Sequence, residues 1–310
     1  MLPSRWIQGG HLGAGLLLLG LLGCGTSPSA PADDPAESEL TATVLFEMRV
    51  DGVKDLWEVR LDGSDLRRIT SHPSDDRWPT SVREEAVFTS YRGGSADLYR
   101  ITGAEETAES ITSTPWNTSQ AALSPDGSGL AFIRDDSGVP KLWVSEPDGA
   151  GAARVTEGFG FTGSIETSPT WAPDGNRIAF VSAAGGSADL HIVDVETGTV
   201  SPLLTDDAAL VEPAWSPDGT RIVFASDMAG ESTDLWMISV PATGEAEGPI
   251  RLTERGKTDG RPAWLPDGRI VYTAWLEDGE TELRWLEPDD SDPPRRILIQ
   301  EGSPSNPAGW

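Results

Sequence analysis

The 310-residue chain has one cysteine, three histidines, three tyrosines and only 23 Lys and Arg against 50 Asp and Glu. A single Cys, at position 24, excludes an internal disulfide framework and any zinc site built on several thiolates. A formal net charge of −27 repels phosphate backbones and anionic lipid, so a nucleic-acid partner is not expected. Three histidines leave little for a His-based metal centre. His11 lies in the apolar leader, and His191 takes the place of an aromatic in the repeats described below. No Gly-x-Ser-x-Gly nucleophile elbow occurs, and the repeats leave no residues for a hydrolase domain. The chain is therefore expected not to be an enzyme, and to need no cofactor. Against these shortages stand 37% hydrophobic residues, 34 Gly, 24 Pro and 12 Trp, enough to bury a sizeable core between many turns.

The only long apolar run comes first. Arg5 precedes Leu12 to Leu22, which is all Leu, Gly and Ala and ends Leu21-Leu22-Gly23-Cys24. Such a run is too short to span a bilayer as a helix, which takes about 20 residues, and fits a secretory leader. The stretch resembles the lipobox of bacterial lipoproteins. That resemblance implies cleavage after Gly23, acylation of Cys24 and an anchor at the cell envelope, expected at the outer membrane and facing the periplasm. Residues 25–40 follow, rich in Pro, Ser, Ala and acid and without apolar periodicity, and read as an extended tether. The sequence thus divides into a leader (1–23), a lipidated Cys with its tether (24–40) and a folded unit (41–310).

One unit recurs through that last part. A turn, Ser124-Pro125-Asp126-Gly127, returns as Ala172 to Gly175, Ser216 to Gly219 and Leu265 to Gly268. Proline presets the first turn dihedral and glycine accepts a positive φ, so each marks a reversal between strands. An aromatic follows an aliphatic pair at Phe46, Phe88, Phe132, Phe180, Phe224 and Tyr272, spaced 42 to 48 residues apart. A Leu stands ten or eleven residues further on, at 56, 98, 142, 190, 235 and 283. A short segment ending in Thr closes five of the six copies. Period-two alternation and the absence of helical periodicity predict an all-β fold. Units of this length with four short strands, A to D, predict a propeller of six four-stranded blades. The first copy starts at its B strand, while Asn306-Pro307-Ala308-Gly309-Trp310 reads as an unattached A strand. The C-terminal strand is therefore expected to join the first blade and close the ring, removing two sheet edges.

The Ser-Pro-Asp-Gly turn, the aliphatic-Ala-Phe strand, the Asp-Leu-Trp or Asp-Leu-Tyr strand and the final Arg-Leu-Thr together resemble the TolB propeller, or PD40, repeat over residues 41–310. The resemblance implies a monomeric, non-catalytic scaffold that binds an envelope protein or peptide. The alternative is an enzyme or a sugar- or small-ligand-binding protein that uses the axial channel. TolB itself carries an α/β domain ahead of its propeller, where this chain has its tether, so its particular partners are not carried over.

Within the repeats, Asp76, Glu166 and Asp259 stand three residues before the Pro of strand A, and Glu212 immediately before another. These four carboxylates are expected to ring one channel mouth, where they would focus cations such as Ca2+ or a Lys- or Arg-bearing peptide. The Trp residues at shared repeat positions, Trp57, Trp143 and Trp236 in one set and Trp171, Trp215 and Trp264 in another, are expected in the core. Trp116 and Trp275 lie outside both sets and are the candidates for surface contact.

Overall fold

The computed structural model describes residues 42–309, apart from residues 84, 103–106, 161–162, 185, 231, 241–245, 255 and 300–301. Cys24 and the tether therefore lie outside the described residues, as does Trp310. The described chain forms β1 (Thr43–Val50), β2 (Val53–Arg60) and β3 (Arg67–Arg68) in blade 1, and β4 (Asp76–Val82), β5 (Glu85–Ser90), β6 (Asp97–Thr102) and β7 (Glu109–Ser110) in blade 2. Blade 3 holds β8 (Asn117–Leu123), β9 (Leu130–Asp135), β10 (Lys141–Ser145) and β11 (Ala153–Arg154). Blade 4 holds β12 (Glu166–Trp171), β13 (Arg177–Ser182), β14 (Asp189–Asp194) and β15 (Val200–Leu204). Blade 5 holds β16 (Leu210–Trp215), β17 (Arg221–Ser226), β18 (Asp234–Ser239) and β19 (Ile250–Arg251). Blade 6 holds β20 (Asp259–Trp264), β21 (Ile270–Trp275), β22 (Thr281–Leu286) and β23 (Arg295–Arg296), and β24 (Ser303–Gly309) follows.

Each blade is a four-stranded sheet, and in blade 1 the order is β24-β1-β2-β3. The expected six-bladed propeller and its closure are thus both present: Val44 pairs with Gly309 and Arg49 with Ser303 across the antiparallel β1–β24 ladder. Five of the six outermost strands have two residues, the exception being β15 with five. Such short outer strands leave little edge to template pairing with another chain.

The core is six clusters, one in each seam between blades. Ile133, Leu142 and Val144 of blade 3, for example, meet Ile178, Phe180 and Val193 of blade 4. The six repeat aromatics, from Phe46 to Tyr272, are all fully buried, each facing the preceding blade. His191 pairs with Phe180 across the β13–β14 ladder and packs 5.0 Å from the Phe159 ring. Its burial holds the imidazole below the usual histidine range, as fits a side chain in an aromatic's place.

The recurring A–B turn shows why it needs its residues. In blade 5 Ser216 Oγ accepts from Arg221 N at 2.9 Å and donates to Asp218 Oδ1 at 2.6 Å. Asp218 in turn accepts from Thr220 N at 3.0 Å, while Gly219 takes φ +73. The bonds from the Ser216 hydroxyl and the Thr220 amide push the Asp218 carboxyl down from 3.8 to about 2. Because the folded value is depressed, this group adds stability above its unfolded pKa and loses it as pH falls from 3.8 towards about 2. Ser216→Ala should move the Asp218 titration, followed by carboxyl NMR, up towards 3.8. An unmoved midpoint would remove the hydroxyl from this account.

Candidate functional site at the axial cavity

The innermost strands share one irregularity. In all six, the pairing with the neighbouring strand slips, for instance between Val211 and Ala214. At the slip stand Trp78, Gln120, Ser168, Glu212, Arg261 and Asn306, all with φ between +50 and +54. A non-glycine residue in this region costs on the order of 1–3 kcal/mol and persists only where its surroundings hold it. Pro follows in five of the six, which removes an amide donor at the point where the ladder is broken.

The surroundings that hold these bulges come from the neighbouring blade. The bulge amide of Trp78 donates to Glu47 Oε1 at 2.7 Å, and that of Ser168 to Gln120 Oε1 at 2.9 Å. Arg261 N donates to Glu212 Oε2 at 2.7 Å, Asn306 N to Thr273 Oγ1 at 3.0 Å and Gln120 N to Thr89 Oγ1 at 3.3 Å. Among the described residues five seams are therefore cross-linked by a bond from the bulge of one blade to a side chain of the one before it.

The six bulge residues line an axial cavity of about 730 Å³ that runs from them to the A–B turns, where Pro125, Pro173, Pro217 and Pro266 form part of its wall. Between lie prolines, alanines and the indoles of Trp171, Trp215 and Trp264. Two of those indoles also bind the preceding blade, Trp171 Nε1 to Ala122 O and Trp264 Nε1 to Ala214 O, each at 3.0 Å. Among the described residues the charged side chains on the wall are Arg83, Glu212 and Arg261. Glu212 Oε1 stands 3.6 Å from Arg261 Nε, and the Arg261 guanidinium lies 5.5 Å from the centre of the Trp275 ring.

The four carboxylates read from the sequence are not brought together. Glu212 is on the cavity wall, at a bulge. Asp76, Glu166 and Asp259 open β4, β12 and β20, are fully buried and lie off that wall. Asp76 takes Arg92 Nη2 on both oxygens, at 2.9 and 3.1 Å. Glu166 accepts from Lys141 Nζ at 3.1 Å, Leu142 N at 2.8 Å and Thr156 Oγ1 at 2.6 Å. Its role follows from a charge exchange. The residue before the strand C Leu is an acid in five blades, and two of these, Asp234 and Glu282, pair with Arg251 at 2.7 Å and Arg296 at 2.8 Å. Blade 3 has Lys141 at that point, and the acid is supplied by Glu166 of blade 4. No group of three or more His, Cys, Asp or Glu side chains comes together to hold a metal ion among the described residues.

Of the Trp residues outside the repeat positions, Trp116 is 42% exposed and Trp275 half-buried beside Arg261. The bulge residues other than Glu212 were not singled out from the sequence. Their signal is the position before the strand A Pro, or before Ala121 in blade 3, occupied by a different side chain in every blade.

A family model described as the TolB beta propeller domain matches residues 104–308. The protein TolB homolog of Chlorobium luteolum is 25% identical over 162 residues, 51% of this chain and 35% of that one. The Tol-Pal system protein TolB of Anaeromyxobacter dehalogenans is 30% identical over 136 residues, 41% of this chain and 30% of that one. The chain thus spans about a third of the length of these curated relatives. The crystal structure of TolB from Acinetobacter baumannii superposes with a TM-score of 0.73 at 19% identity, over 86% of this chain and 66% of that one, a likeness of fold.

Proposed function

The chain belongs to the TolB β-propeller domain family, and from that premise we propose that it is a lipid-anchored envelope protein that binds a segment of another envelope protein in its axial cavity, without catalysis. The observation that carries this reading is the cavity wall. Proline, alanine and indole surfaces around about 730 Å³ suit an extended peptide or a protruding loop, and the bulge side chains supply polar groups at the end away from the A–B turns. The name of the Anaeromyxobacter relative, a component of a Tol-Pal system, supports an envelope assembly as the setting. Cys24 is the proposed anchor point. With Glu212 drawn to Arg261, Arg83 is the remaining charged side chain on the wall among the described residues, inside a chain of net charge −27. A partner segment is thus selected there by shape and apolar contact more than by charge.

The same volume falls within the range of small-ligand pockets, roughly 300–1,000 Å³, and the three indoles favour a sugar or other flat ligand as the second reading. One variant tests the first. Trp78 shows that a bulge can carry an indole, so Ser168→Trp is expected to fold and to narrow the cavity. Crosslinking in native envelopes followed by mass spectrometry should show a discrete partner with the parent chain and background with the variant, at equal melting temperature. Full capture by the variant would place the partner elsewhere on the propeller.

A further inference from the structure

Among the described residues the internal repeats set one arginine that has a carboxylate partner, Arg92, against one that has none, Arg134. In blade 2 the Arg92 guanidinium lies 5.7 Å from the Phe88 ring centre and 4.6 Å from that of Tyr99. In blade 3 the Arg134 guanidinium occupies the matching place, 5.2 Å from Phe132 and 4.6 Å from Trp143. The two rings correspond by register, since Phe88 pairs with Tyr99 and Phe132 with Trp143. The two arginines reach this place from different backbone positions, Arg92 from beyond the end of β5 and Arg134 from within β9.

Their partners differ. Arg92 is met by both oxygens of Asp76, which pairs across the ladder with Ser90. The residue that pairs with Arg134 in the same way is Thr118. Blades 4 and 6 likewise carry acids here, Glu166 and Asp259. Arg134 is 9% exposed, its Nε has no hydrogen-bond partner, and among the described residues no carboxylate lies within 4.0 Å of it. Thr118 is fully buried, and its Oγ1 is also without a partner. Burial lowers the guanidinium pKa, which Asp136 partly offsets, yet an arginine stays charged at neutral pH. A buried charge without a counter-charge is costly, and this one stands where a sister blade has a carboxylate.

A cavity adjoins this place through Trp143, with neither Arg134 nor Thr118 on its wall. Trp143, on which Arg134 stacks, lines a second cavity of about 470 Å³ together with Lys141, Arg154, Asp136, Ser137 and Glu157. Lys141 pairs with Arg134 and Arg154 with Trp143 across the ladders, but both of these cations are met by Glu166 of blade 4, at 3.1 and 3.8 Å, which leaves Arg134 as the cation of this group without a carboxylate.

We propose that the seam between blades 2 and 3 is a binding site for a carboxylate group, which enters beside Trp143 and takes on Arg134 the place that Asp76 takes on Arg92. The size of the group follows from the comparison, since a single side-chain carboxylate fills the equivalent place in blade 2. The site is separate from the axial cavity, sharing no lining residue with it. Its carboxylate is either a free small acid or an acidic side chain of a bound peptide.

The test is titration of the full chain at constant ionic strength with two probes, succinate and a hexaglutamate peptide, following the arginine Nε–H signals by NMR. The Arg134 signal is assigned by its loss in Arg134→Ser, serine being the residue at the matching positions 90, 182 and 226. Thr118→Asp supplies the carboxylate from within. A saturable shift of the Arg134 signal is expected in the parent chain with at least one probe. Response to succinate identifies a free acid, and response to the peptide alone identifies an acidic segment. In Thr118→Asp the signal should start at its bound position and stay there, with a higher melting temperature. Absence of a saturable shift with both probes, or unchanged binding in Arg134→Ser by calorimetry, overturns the proposal.

Discussion

Glu47→Ala is expected to lower the unfolding free energy by about 3–5 kcal/mol, the cost of removing one partner from a buried charged pair. Glu47 is 1% exposed and stands where blade 1 meets blade 2 and the C-terminal strand. Its Oε2 receives Lys54 Nζ at 2.6 Å, and its Oε1 receives Trp78 N at 2.7 Å and Asn306 Nδ2 at 2.7 Å. The corresponding positions of the other blades hold Thr89, Ile133, Val181, Ala225 and Thr273, none of them charged. One carboxylate thus ties together the first strand of the ring, its last strand and the bulge of the next blade. Truncation to Ala leaves Lys54, whose side chain is 15% exposed, without its anion and leaves two donors unmet. Glu47→Gln keeps an acceptor for them and loses only the charge, so it should cost less. Urea unfolding of both variants checks this. A change under about 0.5 kcal/mol for Glu47→Ala, the range of an ordinary surface substitution, would remove the residue from the closure.

Deleting residues 304–310 should have a still larger effect and abolish the single cooperative melt. The deletion removes all of β24 but Ser303, uncovers the inner edge of β1 and breaks the bonds from Asn306 to Thr273 and Glu47. It also opens the seam with blade 6, where Val44, Phe46 and Met48 pack against Val271, Leu283 and Trp285. In a ring each blade depends on two neighbours, so opening one seam lowers the stability of the whole more than shortening an open array would. Differential scanning calorimetry should show a broadened transition at much lower temperature or none. A sharp transition at the parent's temperature would contradict closure by this strand.

The blades and their closure were legible because each repeat states its turns and its alternation openly. Pro125-Asp126-Gly127 and its counterparts place the A–B turns, and the Asn306-Pro307-Ala308 segment repeats an inner strand without its blade. The site was legible at Glu212 alone among the acids proposed. Strict period-two alternation would put Asp76 and Trp78 on the same face, but the positive φ at Trp78 turns the two side chains apart. Asp76 thus goes into the seam while Trp78 lines the cavity. Asp259 and Arg261 divide in the same way, and Glu212 reaches the wall because it is itself the bulge residue. Glu166 was hidden for another reason. Its task depends on Lys141, 25 residues away, and shows only when the six residues before the strand C Leu are set side by side. The likeness of Arg92 and Arg134 is more hidden still. They follow Phe88 and Phe132 at different distances in the chain and come to the same place only in the folded blade.

The central claim, that the axial cavity receives a partner's segment, is tested most directly by placing a photo-crosslinking amino acid at position 170 on the cavity wall and, in a separate chain, at Ser201 on the exposed outer strand of blade 4. After irradiation of native envelopes the account predicts one discrete protein adduct from position 170, crosslinked through a contiguous segment, and none of that mass from position 201. An adduct of equal yield from both positions, or from 201 alone, would contradict it.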